Sequence, residues 1–148
     1  MGFLSTTSSI SRYYVRGDLE NPVTERVAKA LKANTIREID RDIAQTSTGW
    51  TSLTTPYSPD FSGNRFVFGS LLIFSLRIDK KSISAKVLSK HIAQEMAQQT
   101  TTNGGGFLSA SRKEAIKDKV ADQLSLRTPA SPNVFDLVWH YETHSVWL

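Results

Sequence analysis

The stretch "RFVFGSLLIFSLRI", Arg65 to Ile78, limits the fold more than any other part of the chain. Phe66, Phe68, Leu72, Phe74, Leu76 and Ile78 fall on one face of an extended strand, and Val67, Leu71 and Ile73 fall on the other. Successive side chains of a strand point to opposite faces, so here both faces must be covered. Such a strand belongs in the middle of a sheet, with Gly69 as a bulge or a point of close backbone approach. It runs out into a group of cations, Arg77, Lys80, Lys81 and Lys86. A buried strand that surfaces among so many positive charges needs a reason.

The flanking segments supply the other layers. "ISRYYVRG", Ile10 to Gly17, is rich in β-formers and closed by glycine, which predicts a short strand. "NPVTERVAKALKAN" predicts a helix with Asn21 as N-cap, Pro22 at its first position and Asn34 near its end. Val23, Val27, Ala30 and Leu31 form its inward stripe. Thr35 to Arg65 is loop-like, apart from a short strand around Trp50 to Leu53. "SAKVLSKHIAQEMAQQ" predicts a second helix with Ser84 as cap and Val87, Leu88, Ile92 and Met96 inward. A Gly-rich break near 100–109 follows, then a third helix over about Ser111 to Leu126, with Ile116, Val120 and Leu124 one turn apart. "RTPASPN" stops that helix, because neither proline can continue it. "VFDLVWHY" is a strand, and "HSVWL" starts its hairpin partner. The expected fold is α+β: one domain over 1–148, a mainly antiparallel sheet of four or five strands, and about three covering helices.

Composition narrows the chemistry. The 148 residues contain no cysteine, which removes disulfides and thiolate zinc sites. The longest apolar run, Leu71 to Phe74, is far too short to span a membrane, so no membrane partner is expected. Gly2 and Thr6 match the short myristoylation pattern, which reads as coincidence, and the expected location is the cytoplasm. Eighteen Lys and Arg against 14 Asp and Glu give a net charge of +4, a mild preference for polyanions.

Three constellations invite a chemical reading. Lys86 and Lys90 are one helical turn apart, as are Lys113 and Lys117, with Arg112 and Lys119 beside the second pair. Residues so spaced lie about 5–6 Å from one another, close to the phosphate interval along a strand of DNA. The plain alternative is a solvated helix face, and Glu114, Asp118 and Asp122 dilute the third helix. Second, Pro59-Asp60 followed by Asp79-Lys80-Lys81 matches the degenerate PD…DxK pattern of metal-dependent nucleases. In that reading Asp60 and Asp79 hold Mg²⁺ and Lys81 orients the attacking water. Third, His140, Glu142 and His144 alternate along "HYETH", but alternate strand residues are nearly 7 Å apart, too far to share one ion. "NGGGF" lacks the P-loop pattern and reads as a linker. His91 belongs at the edge of a buried helix face. Trp139, Trp147, Tyr13 and Tyr14 could stack on bases, but strand aromatics more often pack into cores.

Taken in order, "ISRYYVR", Gly49-Trp50, "LLIFSLRIDKKSISAKVLSKHI", "SRKEAIKDKVADQL", "VFDLVWHY" and "HSVWL" resemble the bacterial recombination-associated RdgC family across nearly the whole chain. The resemblance implies a ring-forming homodimer that binds DNA without sequence preference and restrains RecA-type strand exchange. Members of that family are roughly twice this length, so the likeness is to their N-terminal half. Ring contacts that need the second half would then not form, and "HSVWL" would be an unpaired edge able to promote self-association. The expected function is non-specific binding of duplex DNA in recombination and replication, cytoplasmic and nucleoid-associated. The expected contacts are Arg77, Lys80, Lys81, Lys86 and Lys90, extended by Lys113 and Lys117, with no cofactor. The alternatives are an exonuclease using Asp60, Asp79 and Lys81 with Mg²⁺, and a non-catalytic protein-interaction module.

Overall fold

The computed structural model describes residues 9–102 and 106–148; the Gly2/Thr6 pattern and most of "NGGG" lie outside them. The expected α+β class holds. Among the described residues there are six strands, β1 (Arg12–Tyr14), β2 (Thr46–Thr51), β3 (Val67–Phe68), β4 (Leu71–Lys80), β5 (Ser131–His140) and β6 (Ser145–Trp147). The helices are α1 (Val23–Ala33), α2 (Ala85–Thr102) and α3 (Ala110–Arg127), with one 3-10 turn at Ser62–Asn64. No described helix is long and apolar enough to cross a membrane.

The chain divides into two compact units. The first is drawn from within Met1–Arg37, Ser47–Asp79 and Pro132–Leu148, and the second from Glu38–Thr46 and Lys80–Ser131.

The first unit holds α1 and the sheet, apart from the strand-end residues Thr46, Lys80 and Ser131. The sheet order is β1-β6-β5-β4-β2, and β3 pairs with β4 off that path. The β1–β6, β5–β6 and β3–β4 pairs are antiparallel. As its two-faced apolar pattern requires, β4 is an interior strand. The sixth strand arises because the apolar run folds back on itself. Gly69, with φ +62°, and Ser70 make a two-residue turn that sets Phe68 opposite Leu71 and Val67 opposite Leu72. Glycine is the residue that enters such a hairpin turn at positive φ, so Gly69 is a turn and not a bulge. A second correction concerns "HSVWL". β6 lies between β1 and β5, so it is no edge strand and offers none for self-association.

Val27 and Leu31 of α1 pack with Phe61, Phe66, Leu72 and Phe74 in one apolar core, where Trp50 meets Phe74 edge-on at 5.0 Å. Asn34 caps α1 at its end, its backbone and side-chain N–H groups both bonding Ala30 O. At the start, Pro22 occupies the cap position in extended conformation, one residue later than expected, and its carbonyl accepts from Arg26 N–H. Gly49 of β2 lies where a Cβ would come within 2.5 Å of the Ile36 backbone, so only glycine fits there.

The second unit pairs α2 with α3. The bonds from Lys119 to Glu95 and from Arg112 to Gln99 run in opposite sequence senses, so the two helices are antiparallel. Ile116 and Val120 of α3 are buried, and Ser109 caps that helix by accepting from Arg112 N–H at 3.3 Å. No residue of α2 is fully buried. Leu88, Ile92 and Met96 are half-buried, but Val87, expected inward, is exposed because the face toward α3 is centred on positions 88, 92, 95 and 99.

Candidate nucleic-acid interface

The cations at the end of β4 separate into two groups. Arg77 is 5% exposed and its partner Asp79 is fully buried. Arg77 Nε donates to Asp79 Oδ1 at 2.7 Å and Nη2 donates to Oδ2 at 2.5 Å, a bidentate pair. Its Nη1 reaches the Pro56 carbonyl at 3.4 Å, and the Tyr57 ring lies 5.5 Å from the guanidinium carbon. Along the same face of β4, Ser75 Oγ donates to Asp136 Oδ1 at 2.7 Å, with both residues buried. The loop after β2 is tied down in the same unit by Thr51 Oγ1 donating to Pro56 O and by Ser52 Oγ donating to Asp60 O. This face of β4 is therefore a stripe of satisfied buried polar groups, the arrangement that burial of charge demands.

Lys81 is 7% exposed. Its ammonium donates to the carbonyls of Asp42 at 2.6 Å, Ser125 at 2.7 Å and Asp40 at 3.4 Å. Ser125 lies in the last turn of α3, where its carbonyl also accepts from the Thr128 N–H at 3.2 Å and where the helix dipole favours a cation. Ser125 Oγ in turn donates to Ile43 O, and the Lys81 backbone N–H donates to Gln45 O. Lys81 thus joins α3 to the 40–45 segment inside the second unit.

Two expectations fail on this geometry. Arg77 and Lys81 are spent on internal partners and cannot sit on a phosphate-contacting surface. The nuclease set fails with them. Both carboxylate oxygens of Asp79 are held by Arg77, and the Lys81 ammonium already has three acceptors. Asp60 stands apart from that pair in its bonding. It accepts from Ser62 N–H at 2.8 Å and pairs with Arg65 at 3.0 Å. The Ser62 backbone N–H and hydroxyl, with the Arg65 charge nearby, hold its carboxyl below the usual carboxylate range.

The remaining expected contacts, Lys80, Lys86, Lys90, Lys113 and Lys117, belong to the second unit. Lys80, Lys86, Lys90 and Lys117 are exposed and Lys113 is half-buried. Lys117 pairs with Glu114 at 3.0 Å, Lys119 with Glu95 at 2.7 Å, and the Lys113 ammonium lies 5.0 Å from the Phe107 ring centroid. Lys80, Lys86 and Lys90 make no ion pair among the described residues. Lys86 and Lys90 lie one turn apart on the side of α2 opposite its contacts with α3, and no described residue of their unit pairs with their charge.

The other constellations resolve as local structure. β5 ends at His140, Glu142 lies in the turn, and His144 has φ +53°, so the "HYETH" alternation does not form a strand face. Among the described residues no three His, Cys, Asp or Glu side chains are grouped to hold a metal. Trp139 packs against the apolar core of the first unit, as strand aromatics usually do. Tyr13 and Tyr14 depart from that habit, standing 55% and 66% exposed on edge strand β1, with Arg12 5.0 Å from the Tyr14 ring. His91 lines a small cleft between α2 and α3 with Glu95, Val120 and Leu124. Comparison of the chain with protein-family models and with curated proteins found no match.

Proposed function

We propose that this chain is a non-catalytic protein that binds duplex DNA without sequence preference, through Lys80, Lys86 and Lys90, with Lys113 and Lys117 as secondary contacts. The observation that carries the reading is the set of three exposed lysines with no counter-ion among the described residues, two of them at helical spacing. Cations so placed contact phosphates, which position a duplex and carry no base information. The resemblance to the RdgC family extends the proposal to recombination and replication, with restraint of RecA-type strand exchange, nucleoid association and a homodimer as the functional form. Titration of labelled duplexes of unrelated sequence tests it. Equal affinities are expected, and replacing Lys80, Lys86 and Lys90 together by Glu should abolish binding without unfolding the chain. Failure of the parent chain to retain DNA at low salt, together with a defined oligomer, would favour a protein-interaction module instead.

A further inference from the structure

Phe107 is 99% exposed, the most exposed of the large apolar side chains among the described residues. A single exposed apolar side chain is ordinary on a protein surface; what sets this one apart is the cation and the cleft beside it. The Lys113 ammonium lies 5.0 Å from its ring centroid yet leaves the ring open. Beside the ring is a cleft of about 290 Å³ lined by Met96 and Thr100 of α2, by Gly106 and Leu108 ahead of α3, and by Lys113 of α3. Its lining is mostly apolar. The Thr100 hydroxyl gives its proton to Met96 O at 2.9 Å, so toward a ligand it can only accept.

Aromatic ring, cation and acceptor within one small cleft are the three groups that a single nucleotide needs. A base can stack on Phe107 and offer an N–H to Thr100 while its phosphate meets Lys113. We infer that this cleft takes one unpaired or extruded nucleotide, which gives the protein a preference for single-stranded or locally opened DNA over closed duplex. The inference rests on the DNA-binding reading above, and it adds a base contact that the lysines of α2 do not make. The ammonium beside the ring favours a nucleotide over a purely apolar protein partner, because an apolar partner would have to desolvate that charge.

The test compares binding of a labelled oligothymidylate and of a duplex of equal length by fluorescence anisotropy. Phe107→Ala should weaken single-strand binding about tenfold, within the range of one base–aromatic stack, and leave duplex binding unchanged. Phe107→Trp should keep the affinity, and its new emission should be quenched by the oligothymidylate. The Lys80, Lys86 and Lys90 to Glu variant is measured alongside. If that variant loses both DNAs while Phe107→Ala changes neither, this inference fails and the DNA-binding reading stands. If neither variant changes binding of either DNA, both fail. If Phe107→Ala leaves both DNAs bound but lowers the mass seen in sedimentation, the ring is a contact between copies of the chain and the inference is overturned.

Discussion

Lys80 and Lys81 are adjacent in sequence and have opposite fates. Lys81 is enclosed by three carbonyls of the second unit, whereas Lys80 stands in solvent with no counter-ion among the described residues. The same division separates Arg77, locked to Asp79 on the buried polar face of β4, from Lys86 and Lys90 on the open side of α2. Positive charge at the end of a buried strand therefore serves two ends. One group holds elements together from inside, and the other is left free to meet an outside anion. Net charge does not distinguish them, because only burial and partners decide which lysine can reach a phosphate.

Mutations should separate the groups sharply. Asp79→Ala strips the buried Arg77 guanidinium of both its bonds to that carboxylate and should cost about 3–5 kcal/mol, read as a lower denaturant midpoint. Lys81→Met keeps the aliphatic stem but takes the ammonium away from the Asp42 and Ser125 carbonyls, the second of which keeps only the Thr128 N–H. A loss of about 2 kcal/mol is expected by the same measurement. Glu substitutions at Lys80, Lys86 and Lys90 should each move stability by less than about 0.5 kcal/mol, while the three together remove DNA binding. A comparable destabilisation in both sets would erase the distinction.

The smallest effect concerns the tie between α2 and α3. The Lys119 ammonium, followed by the Gln99 amide, holds the Glu95 carboxyl below its ordinary value of 4.5. Because the folded-state value is the lower one, this contribution is complete above the ordinary value and is lost as pH falls through the folded value. Thermal melts of the parent chain and Glu95→Gln should differ slightly near neutral pH and converge in acid. A gap that widens in acid would contradict the assignment.

Much of this architecture was legible from local pattern. The three helices follow from 3.6-residue periodicity and from Ser84, Asn34 and the 128–133 stop, and β4 follows from its apolar run. What escaped depends on distant chain. Arg77 and Asp79 read as a charged strand exit because nothing near them in sequence shows that Pro56 and Tyr57 come to lie against the guanidinium. Lys81 reads as one of a basic run because its acceptors lie about 40 residues away on either side. "HSVWL" reads as an edge because the pairing that covers it comes from Arg12 to Tyr14 at the other end of the chain. Gly69 punctuates the apolar run, but apolar residues on both sides of it suit one bent strand as well as a tight hairpin. The free lysines of α2 were legible because an exposed helix face needs no distant partner.

The most direct measurement is the slope of log K against log salt for duplex binding by the parent chain and by the variant with Lys80, Lys86 and Lys90 all changed to Gln. Each phosphate neutralised contributes about −0.9 to that slope, so three engaged lysines predict a difference of roughly 3 between the two proteins. Binding that ignores salt, or a slope that survives loss of all three lysines, would contradict the account.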